Sequence, residues 1–292
     1  MRETSASSAS PDSRARSASR PLLDSDLDGF RSLQQLAYEC AEAVAATLEP
    51  GVTEIEAARA QRDWMRDHGV TDFFHLPFAW FGDRTALRWR NPLRFFPTNR
   101  RLTDGMPFIL DIAPIRDGFT ADIGYASRLG DNEVHQQLLD DLEAHRALIL
   151  DGVRSRATFR DVYRSVDRLA ARQGYDVRHK AYPGAVIAHQ VGRVGDSPPR
   201  FVLGFGLKGL GLLTRTAAES IPAGWNPLWN GTKLSDHAPP PGLWAVEPHL
   251  AFKGVGAKFE EILVVTTDDA FWLDDDLPHV RRWSSTPAVA SA

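Results

Sequence analysis

The sequence predicts an α+β fold, because two pairs of amphipathic helices alternate with stretches of short strands. In four segments apolar residues recur at three- and four-residue spacing, and elsewhere short apolar runs stand between Gly and Pro. No stretch of linker composition divides the 292 residues. We therefore expect one domain over 23–284, built from two related halves of a helix pair plus strands, with disordered tails at 1–22 and 285–292.

Each helix has a start signal or a stop signal. The first carries an apolar stripe that includes Leu33, Ala37 and Cys40, and Thr53 with Glu56 forms a capping box for the second. The predicted helices run from near Asp24 to Pro50, from Thr53 to His68, from Asp131 or Asn132 to about Asp151, and from Thr158 to Gly174.

The remaining segments are predicted as strands and turns. The aromatic-rich stretch 73–107 suggests short strands and loops. In the C-terminal third, four apolar runs separated by Gly and Pro suggest further strands: AVIAHQVG, FVLGFGLKGLGLL, GLWAVEPHLAF and AKFEEILVVT.

Composition excludes several classes of protein. With 34 Lys and Arg against 38 Asp and Glu, the net charge of −4 argues against a nucleic-acid partner. The single cysteine, Cys40, excludes a disulfide framework and suits a reducing, cytoplasmic compartment. No run of about 20 apolar residues exists, so no membrane association is expected.

Two pairs of acidic residues stand at informative spacings. In FILDIAPIRDGFTADIGYASRLG, Asp111 and Asp122 are 11 residues apart across a hairpin turn, and an odd separation puts both on one face. They are directly opposite if Arg116-Asp117 forms the tip and diagonal neighbours if Asp117-Gly118 does. Two carboxylates on a half-buried face repel each other unless they share a proton or a cation.

A second hairpin repeats this arrangement. Glu247 and Glu260 are 13 residues apart about Lys253-Gly254, which places them on one face and Glu261 on the other unless a bulge intervenes. His189 follows an apolar strand between the two hairpins. On parity alone a solvated acidic face is the commoner explanation, whereas the order Asp, Asp, His, Glu, Glu favours a metal site.

That order and its local contexts resemble the M24 metallopeptidase family, which includes methionine aminopeptidase, aminopeptidase P, prolidase and the non-peptidase creatinase. The resemblance covers nearly the whole ordered chain, from LEPGVTEIEAARAQ through PPPGLWAVEPHL to FEEILVVT. It implies the pseudo-two-fold pita-bread fold. It also implies a site for two divalent ions, Mn, Co, Zn or Fe, with five ligands: Asp111, Asp122, His189, Glu247 and Glu260.

The implied activity is hydrolysis of a peptide or amide bond, aminopeptidase-like, by a water that bridges the two ions. Glu247 would exchange protons with this water and His189 would bind as a neutral imidazole. The expected partners are a small peptide or amide substrate and a second copy of the chain in a homodimer.

Two positions depart from the family pattern. Trp89 and Asp196 stand where the active peptidases of the family have two accessory histidines, and His249 is one residue that could substitute for them. An anionic Asp196 and a stacking Trp89 would favour a substrate with a cationic group. The alternative functions are therefore a creatinase-like C–N hydrolase, another metal-dependent small-molecule enzyme and a silent binding protein. The role of segment 193–242 stays open.

Overall fold

The structure is a computed structural model that describes residues 24–88 and 94–285. The predicted tail at 1–22 lies outside the described residues, as does Trp89. Of the tail predicted at 285–292, residues 286–292 lie outside them too, whereas Ser285 is the last residue of a helix. The six helices of this described part are α1 (Asp24–Ala45), α2 (Glu54–Asp67), α3 (Glu133–Arg154), α4 (Phe159–Gln173), α5 (Leu207–Ser220) and α6 (Pro278–Ser285). The sequence predicted the first four and missed the last two.

The strands are short apart from two of ten residues, β1 and β2. They are β1 (Asp72–Phe81), β2 (Pro107–Arg116), β3 (Phe119–Thr120), β4 (Ile123–Arg128), β5 (Asp176–Val177), β6 (Val186–Val191), β7 (Phe201–Val202), β8 (Phe205–Gly206), β9 (Leu228–Asn230), β10 (Gly242–Val246), β11 (His249–Phe252), β12 (Val255–Lys258), β13 (Glu261–Val265) and β14 (Ala270–Trp272).

The predicted caps are present. Thr53 and Glu56 make the reciprocal bonds of a capping box at α2, and the Thr158 side chain accepts the Asp161 N–H at α4. The α4 helix ends at Gly174, whose φ of 80° is the left-handed conformation that glycine adopts without strain.

The prediction of a strand through FVLGFGLKGLGLL was wrong in its second half. Only β7 and β8 form there, and α5 follows from Leu207. A continuous apolar run cannot separate a strand from a helix by periodicity, and two glycines made the helix look unfavourable. Gly209 is needed inside α5, because a Cβ there would overlap with the ring of Phe74.

Three sheets carry the fold, and all their pairings are antiparallel. One has the order β3-β2-β1-β8-β7, with β4 also paired to β2; the second has the order β14-β13-β10-β6-β9; the third is β12-β11-β5. An isolated bridge between Tyr125 and Phe259 joins the first sheet to the segment between β12 and β13. The hairpin strands of the two acidic pairs therefore lie side by side.

The helix pairs cover these sheets from outside. Apolar residues of α1 and α2 form one core with β1 and β2, and those of α3 and α4 form another with β6, β10 and β13. This is the predicted α+β arrangement of two helix-pair-plus-sheet halves. Within the described residues, no helix is long and apolar enough to cross a membrane.

Candidate metal centre

The first acidic pair lies on β2 and at the break between β3 and β4. Asp117 and Gly118 form the two-residue hairpin tip, both with positive φ (52° and 77°), so Asp111 pairs with Gly124 and is the diagonal neighbour of Asp122. Both carboxylates are buried and line the same cavity.

A bulged strand adds His75 to this pair. The β1–β2 register shifts on either side of His75, next to Pro77, which cannot donate a ladder hydrogen bond. The imidazole Nε2 lies 3.2 Å from an Asp111 oxygen and 3.3 Å from an Asp122 oxygen. A bulge position cannot be predicted from alternation, so the sequence analysis did not place His75 in the site.

The second acidic pair and the histidine come from the second sheet. His189 lies on β6 and pairs with Ala245 of β10, while Glu247 directly follows β10 and donates its N–H to the Ile187 carbonyl. Glu260 lies between β12 and β13. The register runs unbroken through a Lys253-Gly254 turn, so Glu247 and Glu260 share a face.

Glu261 points the opposite way, as parity predicted. Its buried carboxylate accepts two hydrogen bonds from Arg146, at 2.7 and 3.1 Å, and lies 3.1 Å from His279. This ion pair ties α3 and α6 to the sheet and does not face the cavity.

Lys258 is the least expected member of the site. Its side chain is completely buried, and its Nζ lies 2.8 Å from Asp111, 2.9 Å from Glu247 and 2.8 Å from Glu260. Lys258 precedes Glu260 by two residues on the same strand face, so alternation offered a signal. Alternation alone does not indicate a buried lysine, however, because a lysine beside acidic residues is usually solvated.

Burial and neighbouring charges shift the pKa values of Glu260, Glu247 and Asp122. Burial raises the pKa of Glu260 well above its usual value, and Asp122 and Glu247 raise it further. Burial also raises the pKa of Glu247, which Lys258 offsets only in part. For Asp122 the opposite holds, since two imidazoles outweigh burial and hold its pKa below the ordinary range.

The cationic groups of the site respond in the converse way. Burial disfavours charge on His75, but Asp122 and Asp111 outweigh it and raise its pKa well above the usual value. Burial likewise opposes charge on Lys258, and three carboxylates outweigh it, so the pKa of the ammonium is raised well above its ordinary value. In the absence of a metal, these side chains balance much of the acidic charge.

The cavity in front of these groups is mainly apolar. Its volume is about 480 Å³, and it contains the five predicted ligands and His75. Most of its other walls are aromatic or aliphatic: Phe74, Phe78, Trp80, Phe95, Tyr182, Val186, Phe205, Leu210, Leu213 and Leu228. Segment 193–242, whose role the sequence left open, therefore supplies part of the wall from β8, α5 and β9.

Of the predicted substrate-binding residues that the structure describes, neither Asp196 nor His249 lines this cavity. Asp196 is exposed on an irregular loop and lines a separate depression with Lys208 and Arg215. His249 is buried behind the site, where its Nε2–H donates to the Thr85 carbonyl and its Nδ1 accepts the Tyr182 hydroxyl, both at 2.8 Å. This fixes the orientation of Tyr182, which does line the cavity.

The donor set fits a divalent ion. Asp122, His189 and Glu260 each offer one ligand atom within 4.8 Å of the others, and His75, Asp111 and Asp122 form a second such group. The His189 Nδ1–H donates to the Gln190 carbonyl at 3.3 Å, which leaves Nε2 directed at Asp122 as a metal ligand requires. Carboxylate and imidazole donors accommodate Mn, Fe, Co and Zn.

Comparison with known proteins places the chain in a family. The model of metallopeptidase family M24 matches residues 28–267. The chain therefore belongs to this family, and its fold is the family's pita-bread fold. The resemblance seen in the sequence is thus confirmed.

Solved structures show the same fold at low identity. The X-Pro aminopeptidase of Thermotoga maritima is 15% identical with a TM-score of 0.64, and the Xaa-Pro dipeptidase of Bacillus anthracis is 18% identical with a TM-score of 0.62. Each match covers 86% of this chain but only 61% of the other. The methionine aminopeptidase of Rickettsia prowazekii is 16% identical with a TM-score of 0.57, over 86% of this chain and 98% of its own. No curated protein matches the chain.

Proposed function

We propose that this chain hydrolyses an amide bond in a small substrate with the help of a divalent ion, and that an apolar group of the substrate fills the aromatic cavity. The observation that carries the proposal is that Asp122, His189, Glu247 and Glu260 line the same cavity as six aromatic side chains. Carboxylates at this depth are costly unless a cation joins them.

A bound divalent ion would polarise the substrate carbonyl and make a coordinated water acidic. Asp122, His189 and Glu260 would hold it, and the Gln190 carbonyl would keep the His189 ring in the right tautomer. Glu247 lies in the cavity beside this group and is the residue we assign to proton exchange with the nucleophile and the leaving amine.

The wall of the cavity defines the substrate class. The sequence suggested a cationic group beside the scissile bond, on the strength of Asp196 and Trp89. Because Asp196 lies outside the cavity, we now propose an apolar or aromatic group, which Phe78, Trp80 and Phe95 would contact. Peptides with an N-terminal Met or Phe and Xaa-Pro dipeptides with an apolar first residue meet this description.

A second candidate is a non-peptide C–N hydrolase. Asp196 does not supply the hydrogen bond that an accessory histidine would give, and losing one such donor typically costs about 10²- to 10³-fold in turnover. A smaller or intrinsically more reactive amide would need that donor less.

The test is a substrate panel assayed with Mn²⁺, Co²⁺ or Zn²⁺. The panel contains N-terminal Met and Phe peptides, Xaa-Pro dipeptides, apolar aryl amides and peptides with an N-terminal Lys. We expect turnover of an apolar member that chelation or His189→Ala abolishes. Turnover confined to non-peptide amides would select the second candidate, and no metal-dependent turnover of any member would contradict the proposal.

Three further expectations stay predictions. They are manganese as the metal in use, a cytoplasmic location and homodimer formation. The domain bounds at 23 and 284 are likewise proposals, and the chain spans about three fifths of the first two enzymes with which it was compared.

A further inference from the structure

Both carboxylate oxygens of Asp111 already have a partner from this chain. One lies 3.2 Å from His75 Nε2, and the other accepts a hydrogen bond from Lys258 Nζ at 2.8 Å. The same ammonium bonds one oxygen each of Glu247 and Glu260. The oxygens of Asp111 are therefore occupied by a lysine and a histidine, whereas Asp122, His189 and Glu260 form a neighbouring group that shares Asp122 with His75 and Asp111.

The fold leaves space for the Lys258 side chain to reach the carboxylates. Its aliphatic chain runs over Gly124, the partner of Asp111 on β4, where any Cβ would overlap with Lys258 Cε. Its Nζ also lies 5.1 Å from the centre of the Tyr182 ring, which adds a favourable cation–π contact. Because the side chain is fully enclosed, moving the ammonium elsewhere would bury it without partners, at a cost of several kcal/mol.

We propose that this chain binds one divalent ion, at Asp122, His189 and Glu260, and that Lys258 together with His75 takes the place of a second ion beside Asp111. This inference rests on the proposed function and departs from the two-ion site that the sequence suggested. It assigns Lys258 a positioning role: it holds Asp111, Glu247 and Glu260 in place as a fixed internal cation.

Charge repulsion disfavours a second ion. Against four buried carboxylates, one divalent ion with the ammonium supplies three positive charges, and two ions with the same ammonium supply five. A second divalent ion beside the same ammonium would leave an excess of positive charge in a buried site. Like charges a few ångströms apart repel strongly there, so the second ion is disfavoured while Lys258 stays.

The test is metal stoichiometry, which does not depend on finding a substrate. The full chain is stripped with chelator, titrated with Mn²⁺ by calorimetry and analysed for metal after removal of excess. Mn²⁺ electron paramagnetic resonance then separates isolated ions from ion pairs. We compare the wild type with Lys258→Met, which removes the ammonium but keeps an unbranched apolar chain of nearly the same length. The control is Lys253→Met, at an exposed lysine of the same hairpin.

We expect about one ion per chain, with an uncoupled spectrum, in the wild type and in Lys253→Met. In Lys258→Met we expect a second ion and a coupled spectrum, because Asp111 and Glu247 lose the ammonium that occupies their oxygens. Two ions in the wild type, or one in Lys258→Met, would overturn the inference. If Lys258→Met does not fold, the wild-type stoichiometry alone decides.

The inference and the proposed function fail in different ways. Two coupled ions together with hydrolysis would overturn the inference and leave the function intact. One uncoupled ion with no turnover of the panel would leave the inference intact and overturn the function. A wild type that binds no divalent ion would overturn both.

Discussion

Lys258 occupies the space that a side chain at Gly124 would need. Gly124 pairs with Asp111 across β2 and β4, so the missing side chain opens a channel from β12 directly to an Asp111 oxygen. The glycine and the lysine come from different hairpins. The lysine needs the space that the glycine leaves, and the glycine is required because the lysine fills that space. Their fit indicates that the fold specifically accommodates the ammonium in the site.

This fit predicts that Gly124→Ala disturbs both stability and metal binding. The methyl group overlaps with Lys258, and overpacking of this kind costs about 1–3 kcal/mol. Denaturant unfolding measures the loss. Gly195→Ala is the control, because nothing lies within 4 Å of a Cβ there. Combining Gly124→Ala with Lys258→Met should cost less than the two changes added together, and strict additivity would contradict the direct contact.

Adjacent glutamates on opposite faces predict opposite phenotypes. Glu260→Gln should weaken Mn²⁺ binding by an order of magnitude or more, because it removes an anionic ligand. Glu261→Gln should leave metal content unchanged and lower the free energy of unfolding by about 3 kcal/mol, since it strips Arg146 of a buried partner. Metal analysis and urea unfolding of both variants check this, and the reverse pattern would show that the register is shifted by one residue.

Buried His145 predicts acid sensitivity of the fold away from the metal site. Burial lowers its pKa to about 4, partly offset by the hydrogen bond to Gln173. The unfolded chain therefore binds a proton near pH 6.5, whereas the folded chain does not bind it there. The free energy of unfolding consequently falls as the pH drops from 7 to 5, by about 2 kcal/mol from this group. His145→Gln should flatten that part of the pH profile of unfolding. The same change at exposed His68 should leave the profile as it is.

Metal removal predicts a loss of thermal stability. An ion that binds only the folded state stabilises it by about 2.7 kcal/mol at a hundredfold excess over its dissociation constant. Chelation should thus lower the melting temperature of the wild type, and Asp122→Asn should respond much less. Calorimetry with and without chelator measures the effect, and an equal drop in both proteins would place the responsible ion elsewhere.

Cavity position predicts which substitutions alter specificity. Phe78→Ala should change the ranking of apolar substrates in the panel, because this ring forms part of the wall. Asp196→Asn should leave the ranking unchanged, because the exposed carboxylate lies outside it. Ratios of kcat/KM across the panel are the readout, and a shift with Asp196→Asn would restore the cationic-substrate interpretation.

Local patterns predicted the scaffold of the site well. Odd separations placed Asp111 with Asp122 and Glu247 with Glu260, because both hairpins close through two-residue turns without a bulge. The same alternation could have placed Lys258 on the face of Glu260. Alternation alone does not indicate a buried lysine, because a buried, unsolvated lysine is rare.

Long-range and irregular features could not be predicted in the same way. His75 reaches the site through register shifts beside Pro77, and such a bulge changes side-chain direction without altering the sequence pattern. Helix α5 was predicted as a strand because its glycines disfavour a helix. Gly209 is required there by the close approach of Phe74, which lies in a different part of the chain and leaves no local signal. Asp196 was predicted to lie in the site from its spacing after His189. The direction of the loop that carries it places it outside the cavity.

The most direct test of this account is anomalous diffraction from crystals of Mn²⁺-loaded protein, with data recorded near the manganese edge. The account predicts one strong peak per chain within bonding distance of His189 Nε2, Asp122 and Glu260, with Lys258 Nζ still between Asp111 and Glu247. A second peak beside Asp111 with Lys258 displaced would contradict the single-ion site, and no peak in the cavity would contradict the metal-dependent function itself.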